Sequence, residues 1–168
     1  MLKAMDIAKY FLAKDIDRNI FNLYLIERNG RKFYEGNAKL NKLLHLSQNI
    51  YLAINEKLLF SDDLYAYENG AVVPSVIENY ARMQKSYIEK PNFDEQTNRF
   101  LDKIFYLFKD VDIDELIALS HEDDEWAEKS KNYSKSLQRM DSLSRANEYK
   151  KQYADGIMIM NKLDVCND

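Results

Sequence analysis

The densest set of reactive side chains is His121-Glu122-Asp123-Asp124-Glu125, one imidazole and four carboxylates in five residues. Such a set could ligate a metal or run acid–base chemistry. A zinc site needs three or four ligands in fixed geometry, and its helical form places two histidines four residues apart. The second histidine, His45, lies far off beside an apolar stripe, so the pair would make at most half a site. The segment therefore reads as a structural or solvated acidic loop, with His121 either organising Trp126 or contacting a partner, and no metal is expected. Nucleophilic chemistry finds less support. Cys166, the single cysteine, has no histidine near it, no serine sits in a Gly-x-Ser-x-Gly elbow, and four scattered glycines build no phosphate loop. The expectation is a protein that is not an enzyme and carries no cofactor.

Tyr67-Glu68-Asn69-Gly70 is the most suggestive non-helical piece. Asn69-Gly70 can supply the positive φ of a tight turn, with Tyr67 packed on a neighbouring helix. A rigid turn is also a good platform for contact, so the same loop is a candidate recognition surface. Interfaces favour tyrosine, and among the 12 tyrosines the cluster Tyr65, Tyr67, Tyr80 and Tyr87 is the one to examine for exposure.

These residues need elements to hold them. Leu40, Leu43, Leu44, Ser47, Tyr51 and Ile54 recur at three- and four-residue spacings, which predicts a long amphipathic helix with a core-facing stripe. Lys39, Asn41, Lys42, His45 and Gln48 then form its polar flank, a solvated face on this reading. Residues 55–73 lack a helical period and read as extended chain wrapped on that core. Pro74 suits a first helical position, and Ile77, Tyr80, Ala81, Tyr87 and Ile88 extend that helix to Pro91. Ala4, Ile7, Ala8, Phe11 and Leu12 predict an opening helix. Phe21, Leu23 and Leu25 alternate with polar residues ahead of Asn29-Gly30, which suits a β-hairpin; the rival is a helix over 19–28 ended by Gly30. Asp94 caps a helix with the stripe Phe100, Leu101, Ile104, Phe105 and Phe108, and Asp112 with Glu115 resembles a capping box. Leu137, Met140 and Leu143 suggest further helix, continued by Ala146, Tyr149 and Tyr153 to Gly156. The apolar Ile157-Met158-Ile159-Met160 either docks as a strand or forms an exposed end. The sum is a mainly α, single compact domain of about six helices over 1–155, with a hairpin element at 18–36 and a tail at 156–168.

Composition bounds the function. With 24 Lys and Arg against 28 Asp and Glu, the net charge is −4 and the pI about 5.3, which lacks the basic footprint of a nucleic-acid binder. The best basic face is Lys129-Ser130-Lys131 with Lys135 and Arg139, the basis of a runner-up reading as a DNA-associated protein or transcriptional regulator. A lone tail cysteine suits a reducing compartment, and no apolar run approaches the roughly 20 residues of a membrane helix. A soluble cytoplasmic protein is expected.

Three pieces in order carry a family resemblance: Lys39-Leu40-Asn41-Lys42-Leu43-Leu44-His45 with Ser47-Gln48-Asn49-Ile50-Tyr51-Leu52-Ala53; then Leu59-Phe60 and Ala66-Tyr67-Glu68-Asn69-Gly70-Ala71-Val72-Val73-Pro74; then Leu119-Ser120-His121-Glu122 with Trp126. Together they resemble the Panacea domain of SocA-like antitoxins and phage-associated proteins of bacterial mobile elements. Tyr67, Ala71 and Asn41 stand where that family usually has Trp, Pro and Gln, and the 18–36 segment resembles an insertion relative to its pattern. The resemblance implies an antitoxin-like protein-binding domain whose partner is a cognate protein toxin encoded nearby, neutralised by direct binding. A variant has the domain hand its toxin to a protease. On the resemblance, the partner-binding residues are Lys39, Asn41, Lys42, His45, Tyr67, Glu68, Asn69, Gly70, His121, Glu122 and Trp126.

Overall fold

A single helix, α2 (Glu35–Asn55), runs through the middle of the molecule, and its 21 residues span about 31 Å. The structure, a computed structural model, describes residues 1–131 and 137–163; Lys135 and Cys166 lie outside them. Around α2 pack α1 (Ala4–Ala13), α3 (Pro74–Asn79), α4 (Glu95–Phe108), α5 (Ile113–His121) and α7 (Ala146–Gln152), so α2 meets neighbours on all sides. Two further helices, α6 (Asp124–Ser130) and α8 (Ala154–Asn161), complete eight among the described residues, against about six expected. The mainly α expectation holds.

Two small antiparallel sheets accompany the helices. Strands β1 (Leu25–Arg28) and β2 (Arg31–Tyr34) form the hairpin, turning at Asn29 and Gly30, whose φ values of 52° and 76° fit a type I′ turn. The helical alternative over 19–28 is thereby set aside. Its alternation does not mark a buried face, however: Phe21 is buried, while Leu23 and Leu25 are exposed. Strands β3 (Tyr65–Tyr67) and β4 (Gly70–Val72) form a second hairpin, and β5 (Gln138–Arg139) pairs with the outer edge of β3. The helix expected around Leu137–Leu143 is thus a short strand followed by a 3₁₀ turn at Ser142–Arg145. Pairing with a strand from far up the chain decided it, and no local pattern announces such a partner.

Three caps stand where the side chains point to them. Pro74 opens α3, Asp94 accepts from the Thr97 N–H at 2.9 Å, and Asp112 accepts from the Asp114 N–H at 2.8 Å. Other boundaries move. α3 ends at Asn79 rather than running on to Pro91, and Tyr87 is left 85% exposed while Tyr65, Tyr67 and Tyr80 are half-buried. The acidic segment is not a loop, because Asp123 caps α6 by accepting from the Glu125 N–H at 2.9 Å. The segment 154–161 is neither strand nor loose end but helix α8, anchored by buried Met160.

The core gathers apolar faces of α1, α2, α4 and α5, including Ile7, Phe11, Leu40, Leu43, Leu44, Leu101, Ile104 and Leu116. α2 departs from the usual amphipathic plan. It is buried nearly all round from Gly36 to Ala53, yet Asn37, Lys39, Asn41, Lys42, His45, Ser47, Gln48 and Asn49 are buried with the leucines. The polar flank is therefore internal, not solvated. At its start Gly36 is obligatory, since a Cβ there would lie 2.4 Å from the Asn22 carbonyl oxygen that accepts the Gly36 N–H.

Candidate functional site

A helix buried on every side must find partners for its polar side chains, because an unpaired buried donor or acceptor costs about 1–3 kcal/mol. Asn37, Asn41, Lys42 and Gln48 find them on the backbone of the chain that follows, whereas Asn49 Oδ1 has none among the described residues. Gln48 accepts from the Leu59 and Phe60 N–H groups at 2.8 and 3.2 Å and donates to Phe60 O at 3.0 Å. Asn41 accepts from the Val73 N–H at 3.0 Å, Lys42 Nζ donates to Ala71 O at 3.0 Å, and Asn37 donates to Ile77 O at 2.9 Å. Lys39 Nζ reaches Lys109 O at 2.6 Å. The segment from Leu59 to Ile77 is thus held by side chains that read main chain, which explains how extended chain can lie on a core without a wide sheet.

At the centre lies a polar hub. His45 Nε2 is 2.6 Å from Asp123 Oδ2, and its Nδ1 is 3.0 Å from Ser120 Oγ. Asp123 also accepts from Asn49 Nδ2 at 2.9 Å and from the Tyr149 hydroxyl at 2.9 and 3.0 Å, while Asn49 reaches the Tyr153 hydroxyl at 3.1 Å. Ser120 Oγ in turn accepts from the Ala71 N–H at 3.1 Å. With Nε2–H donating to the carboxylate and Nδ1 accepting the Ser120 hydroxyl, both ring nitrogens of His45 are paired. Burial disfavours the Asp123 carboxylate, but hydrogen bonds from His45, Asn49 and Tyr149 outweigh it and hold the acid below its ordinary range. Burial raises the hydroxyls of Tyr149 and Tyr153 well above the usual phenol range.

A serine, histidine and aspartate in sequence invite comparison with nucleophilic catalysis. Ser120, His45 and Asp123 are 1%, 0% and 0% exposed, and the serine oxygen is packed against Gly70. The chain is a fastener between α2, α5 and β4. A Cβ on Gly70, whose φ is +106°, would meet Ser120 Oγ at 2.3 Å and Lys42 Nζ at 2.9 Å, so the hub admits nothing larger than glycine there.

Outside the hub stands the turn Tyr67–Gly70, clamped from beyond. Trp126 Nε1 donates to Tyr67 O at 2.9 Å, and His121 Nε2 donates to Glu68 O at 3.2 Å. The two rings stack, with centroids 3.9 Å apart and planes 11° from parallel. Burial, opposed by the Glu68 carbonyl and aided by Lys42, holds His121 below the ordinary imidazole value, so it is neutral near pH 7. The hairpin of β1 and β2 closes the other side. Asn29 donates to Asn69 at 2.7 Å, Asn69 donates to Arg28 O at 3.2 Å, and Arg31 Nε pairs with Glu68 at 3.1 Å. Two Asn-Gly turns thus meet and brace one another.

The structure therefore brings most of the sequence-derived candidates together, in two settings. Tyr67, Glu68, Asn69, His121 and Trp126 are partly exposed and share the turn platform, and Glu122 beside them is exposed. Lys39, Asn41, Lys42, His45 and Gly70 are buried beneath it or along α2. Ser120, Asp123, Asn49, Gln48 and Tyr149 complete the hub. Their spacing holds a signal, since Asn41, His45, Gln48 and Asn49 form a second stripe on α2, as continuous as the leucine stripe. The basic face does not form as expected: Lys129 lies 3.8 Å from Glu125, Arg139 pairs with Asp63 at 2.9 Å, and Lys135 is outside the described residues. No group of three or more His, Cys, Asp or Glu among the described residues is placed to hold a metal, and no helix among them is long and apolar enough to cross a membrane.

Fold and site together define a mainly helical domain in which one polar helix holds a braced surface turn. The sequence model of the family described as Antitoxin SocA-like, Panacea domain, matches residues 40–127, just over half of the chain and the stretch from α2 to Trp126 that builds both hub and platform. The protein belongs to that family. Neither curated proteins nor solved structures gave a match.

Proposed function

We propose that this domain neutralises a cognate protein toxin by direct, non-catalytic binding, and that the braced turn of Tyr67, Glu68 and Asn69 with His121, Glu122 and Trp126 is the contact surface. The observation that carries the reading is the double clamp on the turn. Two stacked aromatic rings spend their donors on the Tyr67 and Glu68 carbonyls, which fixes a surface turn before any partner arrives and reduces the ordering cost of binding. Family membership supports the class of partner. The sealed position of Ser120, His45 and Asp123 supports a non-catalytic role. Delivery of the bound toxin to a protease is compatible with the same contact.

The test is co-expression with the open reading frame that neighbours this gene. The neighbour alone should arrest bacterial growth, and this protein should restore growth and co-purify with it. Glu122→Arg changes an exposed side chain and should weaken rescue by tenfold or more while leaving the far-ultraviolet circular dichroism unchanged. A harmless neighbour with no co-purifying protein would sink the proposal.

A further inference from the structure

Between β2, the β3–β4 hairpin, α2 and α3 lies a cavity of about 260 Å³. Phe33, Ala38, Val72, Ile77 and Ala81 give it an apolar lining, Tyr67, Glu68 and Asn69 of the turn form another part of its wall, and Lys42 lines it from α2. Lys42 is the anomaly of the molecule. Its side chain is 2% exposed, its Nζ donates to one acceptor, Ala71 O, and no carboxylate among the described residues pairs with it. An ammonium has three donors, and buried cations are ordinarily paired. Every other buried polar residue on α2 serves the main chain or the hub through a neutral amide, hydroxyl or ring, save Lys39, which opens toward the Lys109 carbonyl. Leucine or methionine at position 42 would suit the surroundings better if the role were packing alone.

We infer that this cavity binds a small monoanion, a carboxylate carried on an apolar body, with the Lys42 ammonium as its counter-charge and Phe33, Val72 and Ile77 around the body. Of the cations lining the cavity, Arg31 is paired with Glu68 and Lys32 is exposed, so Lys42 supplies one buried positive charge, which favours a carboxylate over a phosphate dianion. The cavity shares Tyr67, Glu68 and Asn69 with the proposed toxin contact, but the inference does not rest on that contact, because its probe is read with no toxin present.

Burial without a counter-charge pushes the Lys42 amine down to about 7, so the free protein holds it partly neutral at physiological pH, and an anion would draw a proton onto it. Charged and titratable groups around it are Arg31 and Lys32 on β2, Tyr67 on β3, Glu68 in the turn and His121 on α5. Glu68 is paired with Arg31, and His121 titrates below the window concerned.

Phenylacetate is the probe, titrated into the isotope-labelled full chain at pH 6.5 and followed by amide chemical shifts, with neutral phenylacetamide as control. Saturable shifts confined to Phe33, Asn37, Val72 and Ile77 are expected. Affinity should be at least tenfold weaker for phenylacetamide and for Lys42→Met, and should fall about tenfold per unit as the pH rises above about 7. Calorimetry in two buffers of different ionisation enthalpy should show proton uptake on binding. Absence of saturable shifts overturns the inference, as does equal binding of acid and amide. So does unchanged phenylacetate affinity in a Lys42→Met protein that melts at or above the wild-type temperature.

Discussion

Asp123 receives hydrogen bonds from His45, Asn49, Tyr149 and the Glu125 N–H in a place that water does not reach. Removing its charge leaves those donors facing an amide, so Asp123→Asn should cost about 3 kcal/mol in urea unfolding at pH 7. Its folded pKa is lowered, so the carboxylate's contribution is present above the unfolded value and lost as pH falls through the folded one. Wild-type stability should therefore drop below about pH 4, and Asp123→Asn should show a smaller acid-dependent loss. Lys42 has the opposite sign. Its folded pKa is lowered from 10.5 to about 7, so between those values the unfolded chain binds more protons and stability rises with pH. Lys42→Met should be more stable than wild type by on the order of 2 kcal/mol at pH 6, with a smaller gap at pH 9. A Lys42→Met protein less stable than wild type at pH 6 would show that the amine is structurally required.

At the scale of elements, α2 acts as a rack for the chain that follows it. Gln48→Leu keeps the volume but orphans the Leu59 and Phe60 N–H groups, and should cost about 2–3 kcal/mol, measured by chemical denaturation. Amide exchange at Leu59 and Phe60 should accelerate beyond that global loss. The same dependence explains what was legible in the amino-acid order. The leucine stripe of α2, Pro74 ahead of α3, Asp94 and Asp112 ahead of α4 and α5, and Asn29-Gly30 between β1 and β2 are local signals, and each stands. Burial of Asn41, Lys42, His45 and Gln48 was not legible from a helical wheel, which ranks side chains by affinity for water and cannot see which carbonyls will pass them. β5 eluded periodicity because two residues pair with a strand some seventy positions earlier. α7 and α8 divide at Tyr153, whose hydroxyl accepts from Asn49, again a distant partner.

For the whole molecule, the elements converge on one axis. The N-terminal Leu2 pairs with Phe60, α7 packs along α2, and α8 docks Met160 beside α4. Contacts between elements distant in sequence tie both ends of the described chain to α2 and its neighbours, so unfolding should be a single cooperative step. Trp126 is the single tryptophan and sits on the platform, so its fluorescence and the far-ultraviolet circular dichroism should give coincident thermal transitions. A tryptophan transition several degrees earlier would show that the platform detaches before the helices melt.

Leu59, Phe60, Leu64, Ala66, Val73 and Val76 are packed in the core, but because α2 also grips carbonyls and amides within residues 59–77, the outward side chains between them are not needed to hold the path. Ser61, Asp63, Tyr65, Tyr67, Glu68 and Asn69 face outward wholly or in part, and only Glu68 and Asn69 among them brace the neighbouring hairpin. Mutation can therefore rewrite the outward letters while the chain keeps its path. A domain built this way can vary the surface it presents without reinventing its scaffold.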